Sequence, residues 1–145
     1  MDLNLTMIRG GVYDPGPHRT PGVAWITDRD TLDAQLVGLD RDTLPAGGTG
    51  APEIDFEREG VLLIRMGEKP SGGYALALSP ERSCVRDRTA YVAVQWIEPQ
   101  KGAMVTQALT RPYLLARMRK GEYQRIVVVD QHGHERLALD LARKP

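Results

Sequence analysis

Val61-Leu62-Leu63-Ile64-Arg65-Met66 runs into Gly67-Glu68-Lys69-Pro70-Ser71-Gly72-Gly73-Tyr74 and then into Ala75-Leu76-Ala77-Leu78. The first run is apolar on both faces of an extended chain, which predicts a central strand covered on both sides. The last alternates, with Tyr74, Leu76 and Leu78 on one face and the small Ala75 and Ala77 on the other, the period of a strand. Between them, Pro70 fixes φ and removes a donor, while Gly72 and Gly73 tolerate positive φ. The unit is therefore two strands joined by a specified bend, with a tyrosine at its exit.

Downstream, the β signals continue. Ser79-Pro80-Glu81-Arg82 turns the chain, and Val85 and Tyr91 to Ile97 read as strands, with Val92, Val94 and Trp96 on the core face. Pro99 to Gly102 turns again. Val105-Thr106-Gln107-Ala108-Leu109-Thr110 reads as extended, Arg111-Pro112-Tyr113 interrupts it, and Leu114 to Met118 resumes as a strand. After a turn at Lys120-Gly121-Glu122 come Arg125 to Val129, a hairpin turn at Asp130-Gln131-His132-Gly133, and a closing alternation of Leu137, Leu139 and Leu141.

Upstream, Leu3, Leu5 and Met7 alternate with polar residues over 3–8, an opening strand that Gly10-Gly11 ends. Residues 13–22 are loop, rich in proline and glycine. After Val23-Ala24-Trp25-Ile26 comes one helix near residues 28–39. Thr27 or Asp28 can cap it, Thr27 with Asp30 forms a shortened capping box, and Leu32, Leu36 and Leu39 make a narrow apolar stripe. Residues 40–53 form a flexible loop, because neither side of it is long enough to fold comfortably alone. The expected fold is a mainly β, α+β chain: one antiparallel sheet domain over residues 1–145, sandwich- or barrel-like, with the helix packed against it.

Composition narrows the functional classes. The chain has 145 residues, enough to bury about 70% of its unfolded surface. Nineteen basic and nineteen acidic side chains cancel, so no net field recruits nucleic acid or an anionic membrane. The lone Cys84 excludes an intrachain disulfide and a thiolate metal cluster. No segment reaches the roughly 18 apolar residues of a membrane-spanning helix. The first residues carry no basic, apolar or lipobox signal, so a cytoplasmic location is expected as written, or the periplasm or envelope if a leader has been removed.

Tests for chemistry end without a catalytic set. Gly67 and Gly72 have the spacing of a phosphate loop, but Gly73 and Tyr74 stand where lysine and serine or threonine are needed. Asp28, Asp30 and Asp33 resemble a calcium loop only until Leu32, and helix capping explains them. Ser71 and Cys84 lack the surroundings of a nucleophile. Asp55 and Glu98 could act as acid and base only if folding brought them together. His132-Gly133-His134, with Asp130 and Glu135, could converge on a metal, or could simply serve the hairpin turn. The expectation is no enzyme, no cofactor and no metal. Trp25, Phe56, Tyr91 and Trp96 read as core, whereas Tyr74 and Tyr113 each end a constrained bend. There a tyrosine can anchor the core or lie at an interface.

Ile54-Asp55-Phe56, the strand 61–66, the Gly-Gly-Tyr bend and the stretch from Val105 to Tyr113 together resemble the C-terminal domain of the protease complex subunit PrcB family, over residues 54–118. The resemblance implies a small bacterial β-rich domain, non-catalytic, whose namesake is a lipoprotein associated with a surface protease. It carries no binding residues across. The expected partner is therefore a protein, a protease or another envelope protein, met at Lys69, Pro70, Ser71, Gly72, Gly73, Tyr74, Arg111, Pro112 and Tyr113. A second likeness, to chagasin-type inhibitors of cysteine peptidases, rests on Lys69 to Tyr74 and Arg111 to Tyr113 as displayed loops. Tyr113 stands there in place of tryptophan, and the middle loop is missing. A purely structural domain is the remaining alternative; it expects Tyr74 and Tyr113 to be largely buried.

Overall fold

The computed structural model describes residues 3–12, 20–36 and 54–141. Along them run β1 (Thr6–Gly11), β2 (Gly22–Ile26), α1 (Arg29–Leu36), β3 (Glu59–Arg65), β4 (Ala75–Leu78), a 3-10 turn at Pro80–Arg82, β5 (Cys84–Arg86), β6 (Thr89–Ile97), β7 (Tyr113–Arg119), β8 (Arg125–Val129) and β9 (Glu135–Asp140). The expected loop at 40–53 lies outside the described residues, as do residues 13–19 of the earlier loop and Gly38 and Leu39 of the predicted helix.

Two sheets form. One has the order β1-β7-β3-β2, the other β4-β6-β8-β9, with β5 also paired to β6. The mainly β expectation holds, as an open sandwich of two sheets and not a closed barrel. The pairing is mostly antiparallel, as expected, with one parallel pair: β6 and β8, from Thr89↔Arg125 to Ala93↔Val129. The chain leaves β6, runs through β7 in the facing sheet, and re-enters beside β6 in the same direction.

Period-2 alternation explains the layers. From β3 and β7, Leu62, Ile64, Leu114, Ala116 and Met118 point between the sheets, meeting Leu76, Val92, Val94, Trp96, Ile126 and Val128 from the other. Their neighbours Val61, Leu63, Tyr113 and Leu115 point the opposite way and pack with Ile26 and with Leu32 of α1. The first sheet is thus covered on both faces, the physical reason the centre of β3, Val61 to Ile64, is apolar on both sides. Asp28 caps α1: the Thr31 N–H donates to its Oδ1 at 2.7 Å and the Thr31 hydroxyl to its Oδ2 at 2.9 Å. These bonds, the backbone one first, hold the Asp28 carboxyl below its ordinary value.

Three local expectations shift. Gly10 and Gly11 lie inside β1, not after it, because the Tyr113 ring packs against Gly11, where an added Cβ would stand 3.0 Å from it. Leu3 and Leu5 are buried just before the strand, while Met7, opposite Ala116 in the edge strand β1, is exposed. The run Val105–Thr110 is not a strand among the described elements.

Between β4 and β5 the 3-10 turn lifts the chain off β6, and a side chain fills the gap. The Ala93 N–H donates to Ser83 Oγ at 2.9 Å, and Ser83 Oγ donates to Ser79 O at 3.1 Å. Ser83→Ala leaves a ladder N–H unsatisfied. It is expected to cost roughly 1–3 kcal/mol, read as a lower melting temperature with faster amide exchange at Ala93.

Candidate functional site

The bend after β3 and the loop before β7 meet as one structure. Lys69 and Thr110 exchange both backbone hydrogen bonds, the Lys69 N–H to Thr110 O at 2.7 Å and the Thr110 N–H to Lys69 O at 3.0 Å. The Gly72 N–H donates to Thr106 O at 2.9 Å, and the Thr110 hydroxyl to Ser71 O at 2.8 Å. Below them, the Arg111 guanidinium holds Glu68 Oε1 at 3.1 Å, both side chains about three-quarters buried. The Met66 N–H donates to Pro112 O at 3.0 Å and leads into the β3–β7 ladder. Two stretches some forty residues apart in sequence therefore form one braced platform at an end of the sandwich.

Gly73 is the closest point of that bracing. Its φ is +93°, and a Cβ there would stand 2.8 Å from Pro99 Cβ and 2.9 Å from Val105 Cγ1. Val105 is thereby pinned against the bend. Its neighbour Met104 is 100% exposed, and Leu109 is 62% exposed. A turn precedes them, with the Ala103 N–H donating to Gln100 O at 2.9 Å. Three of the four exposed large apolar side chains among the described residues, Ile97, Met104 and Leu109, come from the end of β6 and the loop that follows it. Concentrated exposure of this kind marks an interaction surface more than scattered single residues do.

The residues singled out from the sequence divide here. Lys69, Ser71, Gly72 and Tyr74 are half-buried, and Pro70 and Gly73 are exposed. The Lys69 ammonium lies 5.3 Å from the Tyr74 ring centroid, a cation–π arrangement, and Tyr74 packs against the inner core. Pro112 is buried and Tyr113 is 1% exposed, its ring on the helix-covered face of the first sheet. Tyr113 is thus a core residue and cannot meet a partner, and 111–113 is not the displayed loop that a chagasin-type arrangement needs. Met104 and Leu109 were not among the sequence candidates. Their stretch reads as a strand, and no residue pattern signals that its backbone pairs with the bend.

The histidine turn is organised by a carboxylate. Asp130 is fully buried; its Oδ1 accepts the His132 and His134 N–H groups at 2.8 and 3.0 Å, and its Oδ2 accepts Arg136 Nε at 2.9 Å. Burial alone pushes this carboxyl up, but the bonds from His134, Arg136 and His132 together pull it down to about 2. Both oxygens are engaged by donors, and among the described residues no group of three or more His, Cys, Asp or Glu is placed to hold a metal. An open groove of about 590 Å³ lies between β2 and β9, lined by Val23, Trp25, Tyr123, Leu139 and Leu141. The Tyr123 hydroxyl donates to Arg119 O at 2.8 Å.

No helix among the described residues is long and apolar enough to cross a membrane. No curated protein and no solved structure matches the chain. One family model does match, and it spans β3 to β7, the strands that carry both halves of the platform. The Ile54-Asp55-Phe56 entry lies outside it. Residues 61–119 of this chain match the PrcB C-terminal family, the family that the bend and its flanking strands resemble in sequence.

Proposed function

We propose that this chain is a non-catalytic protein-binding module that docks onto a protein partner, a protease or another envelope protein, through the platform formed by residues 68–73 and 99–110. The observation that carries the reading is the bracing itself. Backbone bonds from Lys69, Gly72 and Thr110 hold the two loops against each other while Met104 and Leu109 face solvent. A loop pinned on one side and apolar on the other is pre-organised, so binding costs little further ordering. The likeness to the PrcB family points to a partner of the same broad kind.

The test is capture of partners from extracts of the native host on the immobilised chain, beside a Pro70→Ala, Met104→Ser, Leu109→Ser variant. All three side chains are exposed, so the variant is expected to melt within a few degrees of the parent. The expected result is at least a tenfold loss of the partners retained by the parent. Equal retention by the folded variant overturns the reading.

A further inference from the structure

We infer that the groove between β2 and β9 is a second docking site, which takes an extended apolar segment of a partner polypeptide as an added strand along the edge of β2. The site is separate from the platform and does not depend on it. In the order β1-β7-β3-β2 the last strand ends its sheet, and β9 ends the facing one, so two strand edges frame the same groove. Antiparallel pairing with β3, from Gly22↔Arg65 to Ile26↔Val61, uses the N–H and C=O groups on one side of β2 and turns those of alternate residues outwards. No turn or loop among the described residues bonds to the backbone of residues 22–26. A row of donors and acceptors at strand spacing is matched by one ligand chemistry, an extended main chain.

The groove beside that edge supplies the side-chain half of the recognition. Its volume of about 590 Å³ lies in the range of ligand pockets, and Val23, Trp25, Tyr123, Leu139 and Leu141 make its walls apolar. Both aromatic walls are fixed. Trp25 lies so close to Gly60 that a Cβ added there would stand 2.7 Å from its ring, and the Tyr123 hydroxyl is tied to Arg119 O. The site is therefore formed before anything enters it, which lowers the ordering cost of binding. An added strand turns every second side chain to one face, so residues i and i+2 of the segment enter the groove. A second copy of the chain fits less well. Its β2 would meet this one along five residues, roughly 17 Å. Such an edge buries on the order of a few hundred Å², against the roughly 1,200 Å² of a stable interface. The copy's own Val23 and Trp25 are already packed against its core and cannot fill the groove.

Selection of random phage-displayed decapeptides on the immobilised chain supplies the probe. The expected sequences carry Val, Ile, Leu or Phe at alternate positions. The best binder is then synthesised in two forms, N-methylated at its odd or at its even residues, which leaves the protein itself unaltered. One form should bind at least tenfold more weakly and the other close to the parent peptide, because only one edge of the added strand faces β2. Amide signals of residues 22–27 and 137–141 should shift on binding, and those of β2 should exchange more slowly. The Pro70→Ala, Met104→Ser, Leu109→Ser variant should bind the peptide as the parent chain does, so failure here and failure of the platform reading are told apart. No selection, selected peptides without alternation, equal effects of the two methylations, or shifts confined to residues 67–74 and 99–110 overturn the inference. So does a dimer in sedimentation whose formation slows the same β2 amides, since a second copy is then the occupant.

Discussion

Replacing Asp130 by asparagine is expected to lower stability by roughly 2–3 kcal/mol at neutral pH, the range for disturbing a buried, hydrogen-bonded charge. The amide can still accept from the His132 and His134 N–H groups, but its NH2 then confronts Arg136 Nε, donor against donor. For a chain of this length the melting temperature falls by roughly 6–12 °C. The sign of the acid dependence follows from the direction of the shift. The carboxyl sits at about 2 in the folded protein, below its ordinary value of 3.8. Its contribution, about 2 kcal/mol by linkage, is complete above about pH 4 and disappears as pH falls through 2. Denaturant melts of both proteins between pH 7 and pH 2 check this. The difference between them should narrow below pH 4, and a constant difference would show that the carboxylate charge is not what the turn uses.

Gly73→Ala is the second large effect, expected at roughly 2–5 kcal/mol. Holding a residue with a Cβ at positive φ costs about 1–2 kcal/mol, and overpacking adds about 1–3 kcal/mol. Gly102 supplies the control: its φ is +84°, but an added Cβ meets nothing within 4 Å. Gly102→Ala should therefore show the backbone cost alone. The difference between the two melting curves isolates the contact of Gly73 with Pro99 and Val105. In hydrogen exchange, Gly73→Ala should also expose the Gly72 and Thr110 amides. If the two variants melted together, the bend would not be braced as described. The same contacts make Gly73 and Tyr113 unsuitable for testing partner binding, since changing either disturbs the fold first.

Much of the architecture can be read from local pattern. Val61–Ile64 is apolar on every residue, and a strand of that kind has to be covered twice, as α1 and the second sheet cover it. The alternation of Tyr74, Leu76 and Leu78, and that of Val92, Val94 and Trp96, sets the inner face correctly because period 2 translates directly into side. What pattern could not reveal depends on long-range closure. Val105–Thr110 has strand-like composition, yet its backbone groups pair with a bend some forty residues earlier, which leaves Met104 and Leu109 outside. Tyr113 reads as a bend tip, but its register opposite Gly11 and Arg65 turns it into the outer core. Asp130 looks like an ordinary turn residue; that its carboxylate faces inward follows from Arg136 and two amides, none of them marked in the sequence as its partners. The candidate site was therefore half legible: the bend was, and the loop that completes it was not.

The broken run of β4 and β5 along β6 bears on how this protein behaves when concentrated. An edge of four residues, a 3-10 turn and three more residues offers no straight row of free amides for another molecule to copy. On the far side of that sheet, β9 carries a register irregularity and the charged Glu135, Arg136 and Asp140. In the other sheet β1 is irregular in the same way. The described strand without such a safeguard is β2, five residues of Gly-Val-Ala-Trp-Ile with no charge and no proline. Fibril-like self-assembly under denaturing stress thus has a natural starting point there.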